Sequence, residues 1–139
     1  APSRLYVAHL EGSSMVSHPV TPGGGAAADA FYAGFNWMTE DAAGTLYVVG
    51  NGKHSNGQGT HQAPWLSYSK DKGKTWQRFD KVQVHGTIMS VALHQTDPKQ
   101  VYIGARYDGE VFGTQDGGDS WQSINLPHGV KDIYSLACG

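Results

Sequence analysis

The segment Ser69-Lys70-Asp71-Lys72-Gly73-Lys74-Thr75-Trp76 aligns without a gap on Thr114-Gln115-Asp116-Gly117-Gly118-Asp119-Ser120-Trp121, 45 residues further on. A chain that repeats itself at such a period folds as stacked copies of one supersecondary unit. The same offset carries Ser90-Val91-Ala92-Leu93 onto Ser135-Leu136-Ala137-Cys138, and Leu5-Tyr6-Val7, Leu46-Tyr47-Val48 and Val101-Tyr102-Ile103 make a third matched set.

Within a unit, apolar residues alternate over short runs rich in Val, Tyr, Ile and Phe, bounded by Gly, Asn and Asp, which is the pattern of half-buried strands. The clearest unit predicts strands near Ile88 to His94, Val101 to Arg106, Glu110 to Thr114 and Trp121 to Asn125. Its turns fall at Asp97-Pro98, Asp108-Gly109 and Asp116 to Gly118. The preceding unit predicts strands near Phe35 to Thr39, Leu46 to Gly50, Trp65 to Ser69 and Thr75 to Asp80, with a long loop, Asn51 to Pro64, at its second connection. No helix is expected.

Four strands per ~40–45 residues is the signature of a β-propeller blade. Val130 to Cys138 reads as an innermost strand, with Arg4 to His9 and Ser14 to His18 as the second and third strands of the same blade. The expectation is a single all-β domain over residues 1–139: one blade split between the termini (130–139 with 1–34), a second over 35–82 and a third over 83–129. Residues Thr21 to Tyr32 read either as an outermost strand or as a Gly/Ala-rich connector.

Composition fits this reading and narrows function. The 19 glycines suit many tight turns, and the charge of −2, from 12 acidic and 10 basic residues, disfavours a nucleic-acid partner. No apolar run approaches the ~18 residues of a membrane span, and the single Cys138 has no partner for an internal disulfide. Ala1-Pro2-Ser3-Arg4 carries no signal-peptide pattern, so the default expectation is the cytoplasm, with export of a processed chain left open.

The pattern Ser/Thr-x-Asp-x-Gly-x-Thr/Ser-Trp, present twice, resembles the Asp-box (bacterial neuraminidase, or BNR, repeat) family of sialidases, sortilin-like receptors and photosystem II assembly factor-like bacterial proteins. The phrases Tyr102-Ile103-Gly104 and Gly113-Thr114-Gln115-Asp116-Gly117-Gly118 look most like the assembly-factor-like group. The resemblance covers Thr45 to Cys138 well and implies that the motif sits between the third and outermost strands, on the face away from sialidase active sites. By residue chemistry the motif is structural: Asp71, Asp116, Ser69, Thr75, Thr114 and Ser120 bond turn amides, Gly73 and Gly118 supply positive φ, and Trp76 and Trp121 pack under the hairpin.

Three blades fall short of the roughly four to eight of a closed ring. An open arc exposes its terminal faces, so a two-fold homodimer completing six blades is the leading expectation, and a piece or partner of a longer propeller is the rival.

Function is then expected on the loop face opposite the motifs. By strand order, His9, His54, His61, His85 and His128 fall near that face, with His18 and His94 elsewhere. His85 and His128 each precede an innermost strand, which makes them candidate ligands for a transition metal near the axis. The bland alternative is histidines hydrogen-bonded to backbone or water. His54, His61 and Trp65 are candidates to grip a ligand from the Asn51 to Pro64 insert. The alternative there is an oligomer-contact loop. Arg106 and Tyr107 offer a carboxylate or phosphate site, unless Arg106 simply pairs with Asp108 or Glu110. Glu11 is a further acidic rim candidate.

A true sialidase resembles this family in fold but grips its substrate carboxylate with three arginines, and Arg4, Arg78 and Arg106 do not fall together. Two readings remain. One is a ligand-binding or assembly module taking a small molecule, a glycan or a protein segment. The other is a metal-assisted hydrolase or lyase in which His85, His128, Arg106 and Tyr107 are the catalytic candidates.

Overall fold

The apolar alternation of the clearest unit emerges as an antiparallel meander. In the computed structural model, which describes residues 6–20, 34–56, 59–79, 81–107 and 109–138 (34–36, 51–56 and 59–64 by backbone only), strands β7 (Thr87–Leu93), β8 (Val101–Arg106), β9 (Val111–Thr114) and β10 (Gln122–Ser123) pair in chain order. The preceding unit gives a second four-stranded sheet from β3 (Gly34–Glu40), β4 (Leu46–Asn56), β5 (Gly59–Ser69) and β6 (Gln77–Arg78). The pair β1 (Tyr6–Glu11) and β2 (Ser14–Pro19) precedes both, so in chain order it is the first sheet, β3–β6 the second and β7–β10 the third. The fold is all-β, with sheets built as propeller-type blades. Among the described residues there is no helix, and hence none long and apolar enough to cross a membrane.

Because side chains alternate across a strand, each central strand serves two interfaces. Tyr47 and Val49 of β4, with Leu66 of β5, meet Ile88, Val91, Val101 and Ile103 of the following sheet. Val48 and Trp65 point the other way and pack with Val7, Val20 and Trp76. The second sheet is therefore sandwiched between the other two.

Three expectations change. The Asn51 to Pro64 insert is not an open loop, because β4 and β5 stay paired through it, from Leu46↔Ser69 out to Asn56↔Gly59, with His54 opposite His61. A ribbon that leaves the core needs only backbone hydrogen bonds, so it lacks the apolar alternation by which strands are read. The outermost strands are also shorter than predicted, two residues each.

Val130 to Cys138 forms no strand. It crosses the outer face of the β7–β10 sheet, with the Ile133 amide donating to the Ala105 carbonyl at 3.3 Å. A Cβ on Gly104 would lie 2.5 Å from Ile133 Cγ2 and 3.1 Å from Leu136 Cδ1, so glycine permits this approach. Side-chain packing on a face, rather than pairing at an edge, explains why strand-like alternation there produced no ladder. The predicted element at Thr21 to Tyr32 lies outside the described residues.

Candidate functional site

The two ends of the sheets carry different chemistry. At one end, Ser69 and Asp71 close the turn after β5. Ser69 Oγ donates to Asp71 Oδ1 (2.8 Å) and accepts the Gly73 amide (2.8 Å). Asp71 Oδ1 also takes the Thr75 amide (2.8 Å), and the Trp76 indole donates to the Gly73 carbonyl (3.0 Å). Thr114, Asp116, Gly118, Ser120 and Trp121 repeat every one of these bonds within 0.1 Å. The hydroxyls of Thr75 and Ser120, followed by the turn amides, hold both carboxyls down at about 2. Each carboxylate thus bonds within its own turn.

The opposite end of the third sheet gathers Arg106, Tyr107, Asp132 and Tyr134. The Arg106 guanidinium carbon lies 4.9 Å from the centre of the Tyr107 ring and 4.7 Å from that of Tyr134, a sandwich that favours a cation over two aromatic faces. Asp132 Oδ1 accepts the Tyr107 amide at 3.0 Å and stands 3.7 Å from Arg106 Nε. At that distance the Nε hydrogen, itself buried, has no hydrogen-bond acceptor among the described residues. Tyr107 holds φ at 77°, an uncommon conformation for a bulky residue. Both rings stay exposed, Tyr107 at 62% and Tyr134 at 56%. Of the two acids expected beside Arg106, Glu110 is engaged with the His85 loop, and Asp108 lies outside the described residues.

Glu110 instead anchors the His85 loop. Its carboxylate accepts the amides of His85 (3.0 Å) and Gly86 (3.3 Å), and lies 3.4 Å from His85 Nδ1. His128 occupies an exposed turn in which the Val130 amide bonds the Pro127 carbonyl. No group of three His, Cys, Asp or Glu side chains gathers among the described residues, so no donor set for a metal forms there within one chain.

Other candidates move. Trp65 is 1% exposed and lies in the core with Val48 and Trp76, so it offers no platform to a ligand; an aromatic residue beside a polar insert is drawn inward by its own area. Glu11 bonds His9 Nε2 at 3.0 Å, and this contact, aided by the charges of Lys72 and Lys74, lowers its pKa. With Val7 against Gly73, those lysines set the β1–β2 hairpin beside the Asp71 turn, away from Arg106. His9 goes with it, stacked 6.0 Å from His18. His54 and His61 are opposed in register on the ribbon. Arg78 lies on outermost β6 and Arg106 at the end of β8, so two of the three arginines are held apart.

Asp132 was missed as a site residue. It acts 25 residues away from Tyr107, and no local spacing announces such a partner. A family model described as Sortilin, neurotensin receptor 3, matches residues 65–137, just over half of the chain, from within β5 through the Arg106 cluster.

Proposed function

The chain belongs to the Sortilin-Vps10 family, and from that premise we propose that it is a ligand-binding propeller module whose binding centre is Arg106 with Tyr107 and Tyr134. The description of the family is of a receptor, which favours capture over catalysis. The observation that carries the reading is the guanidinium held between two exposed tyrosine rings. An arginine so oriented takes a carboxylate by its planar fork while the rings receive the apolar part of the ligand. The ligand class is a small molecule or protein segment bearing a carboxylate. The ribbon carrying His54 and His61 continues the β4–β5 pair at the same end of the strands.

The finer placement, among Asp-box repeat propellers and nearest the assembly-factor-like bacterial group, is part of this proposal and is supported by the duplicated turn bonding of Asp71 and Asp116. We also propose that two copies complete a six-bladed ring, with blades divided at 34/35 and 82/83. Support comes from Ile133 and Leu136 lying on the outer face of the third sheet, where a next blade would begin. The exposed Leu10 and Met15, paired on one face of the β1–β2 hairpin, supply apolar surface for that contact.

Calorimetry with acetylated tripeptides ending in a free carboxylate, against the same peptides amidated, tests the site. The free acids are expected to bind and the amides not, with Arg106→Ala removing the difference. Equal binding of acid and amide, or binding untouched by Arg106→Ala, would overturn it. Sedimentation tests the ring: a dimer that Leu10→Lys/Met15→Lys splits is expected, and a monomer at every concentration would sink it.

A further inference from the structure

The Arg106 cluster holds an acid as well as a base, and neither charge is spent on the other. Asp132 Oδ1 takes the Tyr107 amide at 3.0 Å and stands 3.7 Å from Arg106 Nε, too far for a hydrogen bond. The second oxygen of this carboxylate bonds nothing among the described residues, and the side chain is 44% exposed. Of the guanidinium nitrogens, Nε alone is buried without an acceptor among the described residues, so both Nη groups, which bond none of those residues, reach solvent.

The chain on either side of Asp132 is pinned. A Cβ on Gly109 would lie 2.2 Å from the Val130 carbonyl oxygen and one on Gly104 2.5 Å from Ile133 Cγ2, while the Ile133 amide donates to the Ala105 carbonyl at 3.3 Å. Asp132 is thus held in place beside Arg106 before any ligand arrives. A ligand carboxylate brought onto the guanidinium enters the field of this acid and is repelled, unless the ligand also carries a positive charge on that side. A bare anion is opposed and a dianion more so, whereas a zwitterion is met favourably at both ends.

We propose, taking the carboxylate reading of Arg106 as the premise, that Asp132 makes this centre a receptor for a free α-amino acid. The Nη edge of Arg106 takes the carboxylate, the second Asp132 oxygen takes the ammonium, and the side chain lies along the exposed parts of Tyr107 and Tyr134. An α-amino acid carries both charges on one carbon, which matches an acid and a base fixed side by side; the two ends of a peptide lie too far apart to do so. Two exposed rings suit a large apolar side chain.

The test is calorimetry with three probes: L-phenylalanine, 3-phenylpropionate, which lacks the ammonium, and L-phenylalaninamide, which lacks the carboxylate. L-Phenylalanine is expected to bind at least about tenfold more tightly than 3-phenylpropionate, the worth of one charged hydrogen bond, and the amide not to bind detectably. Asp132→Asn keeps an oxygen for the Tyr107 amide, and should bring L-phenylalanine down to the level of 3-phenylpropionate while leaving that acid no weaker. Three results would overturn the proposal: L-phenylalanine binding no more tightly than 3-phenylpropionate, the amide binding as tightly as the amino acid, or Asp132→Asn weakening both acids by one factor. The last would show that Asp132 only positions its neighbours. If 3-phenylpropionate or the acetylated tripeptides bind through Arg106 in any of these cases, the amino-acid assignment alone falls; if no carboxylate binds, both readings fall.

Discussion

Phe79, which follows the first motif, lies against Gly118 of the second: a Cβ on Gly118 would stand 2.3 Å from Phe79 Cε1. The same ring meets Trp121 edge-on at 5.6 Å. One blade thereby seats its outer aromatic in the turn of the next.

Gly118→Ala should therefore destabilise the protein more than Gly73→Ala. Both positions have positive φ, 96° and 89°, and each alanine carries a backbone cost of about 1–2 kcal/mol. At Gly73 the nearest atoms would be at an ordinary 3.6 Å, whereas at Gly118 the clash with Phe79 adds roughly 1–3 kcal/mol. Urea unfolding of the two variants should separate them by that second amount, and equal losses would show that Phe79 gives way freely.

Acid should loosen the turns within a defined window. Asp71 and Asp116 have folded pKa values lowered to about 2, beneath the unfolded carboxyl range of ~3.9. Their contribution is full above the unfolded value and is lost as pH falls through the folded one. The melting temperature should drop between about pH 4 and pH 2, and Asp71→Asn/Asp116→Asn should flatten that drop while lowering the melt at neutral pH. A double variant with an unchanged acid profile would refute this assignment.

Tyr107→Gly should raise stability and abolish tripeptide capture. Glycine accepts φ of 77° without the side-chain penalty, a relief of about 1–3 kcal/mol offset in part by roughly 0.5–1 kcal/mol of glycine backbone entropy and by lost ring contact. The same change removes one of the two rings beside Arg106. Thermal melts and calorimetry on one sample read both effects, and a variant that is less stable yet still binds would contradict the proposed division of roles.

Trp65→Ala should cost about 3–5 kcal/mol, because the indole is buried between the second sheet and Val7 of the hairpin. Trp65→Phe should cost less and leave tripeptide binding intact. Impaired binding in a fully folded Trp65→Phe protein would restore Trp65 to the site.

Strand order in the two four-stranded sheets was legible because Val, Ile and Tyr alternate there, as β8 shows by spanning Val101 to Arg106 as predicted. The two turns were legible because their bonds are local. Legibility ends where partners are distant: Asp132 reaches Tyr107, Glu110 reaches His85, and Ile133 reaches Gly104, none across a motif-length interval. The ribbon from Asn51 to Pro64 failed for another reason. Its pairing is written in backbone groups, which every residue but proline carries alike.

Every side-chain bond that closes the Asp71 and Asp116 turns spans four residues or fewer. Such loops close in well under a microsecond, long before sheets separated by tens of residues can meet. As the chain leaves the ribosome, each hairpin can rehearse its corner alone. The slow and error-prone event is then the docking of neighbours, where Phe79 must find Gly118, so mutations inside a turn, whose bonds are already made at that step, should chiefly retard refolding, while those that loosen contacts completed after it chiefly hasten unfolding.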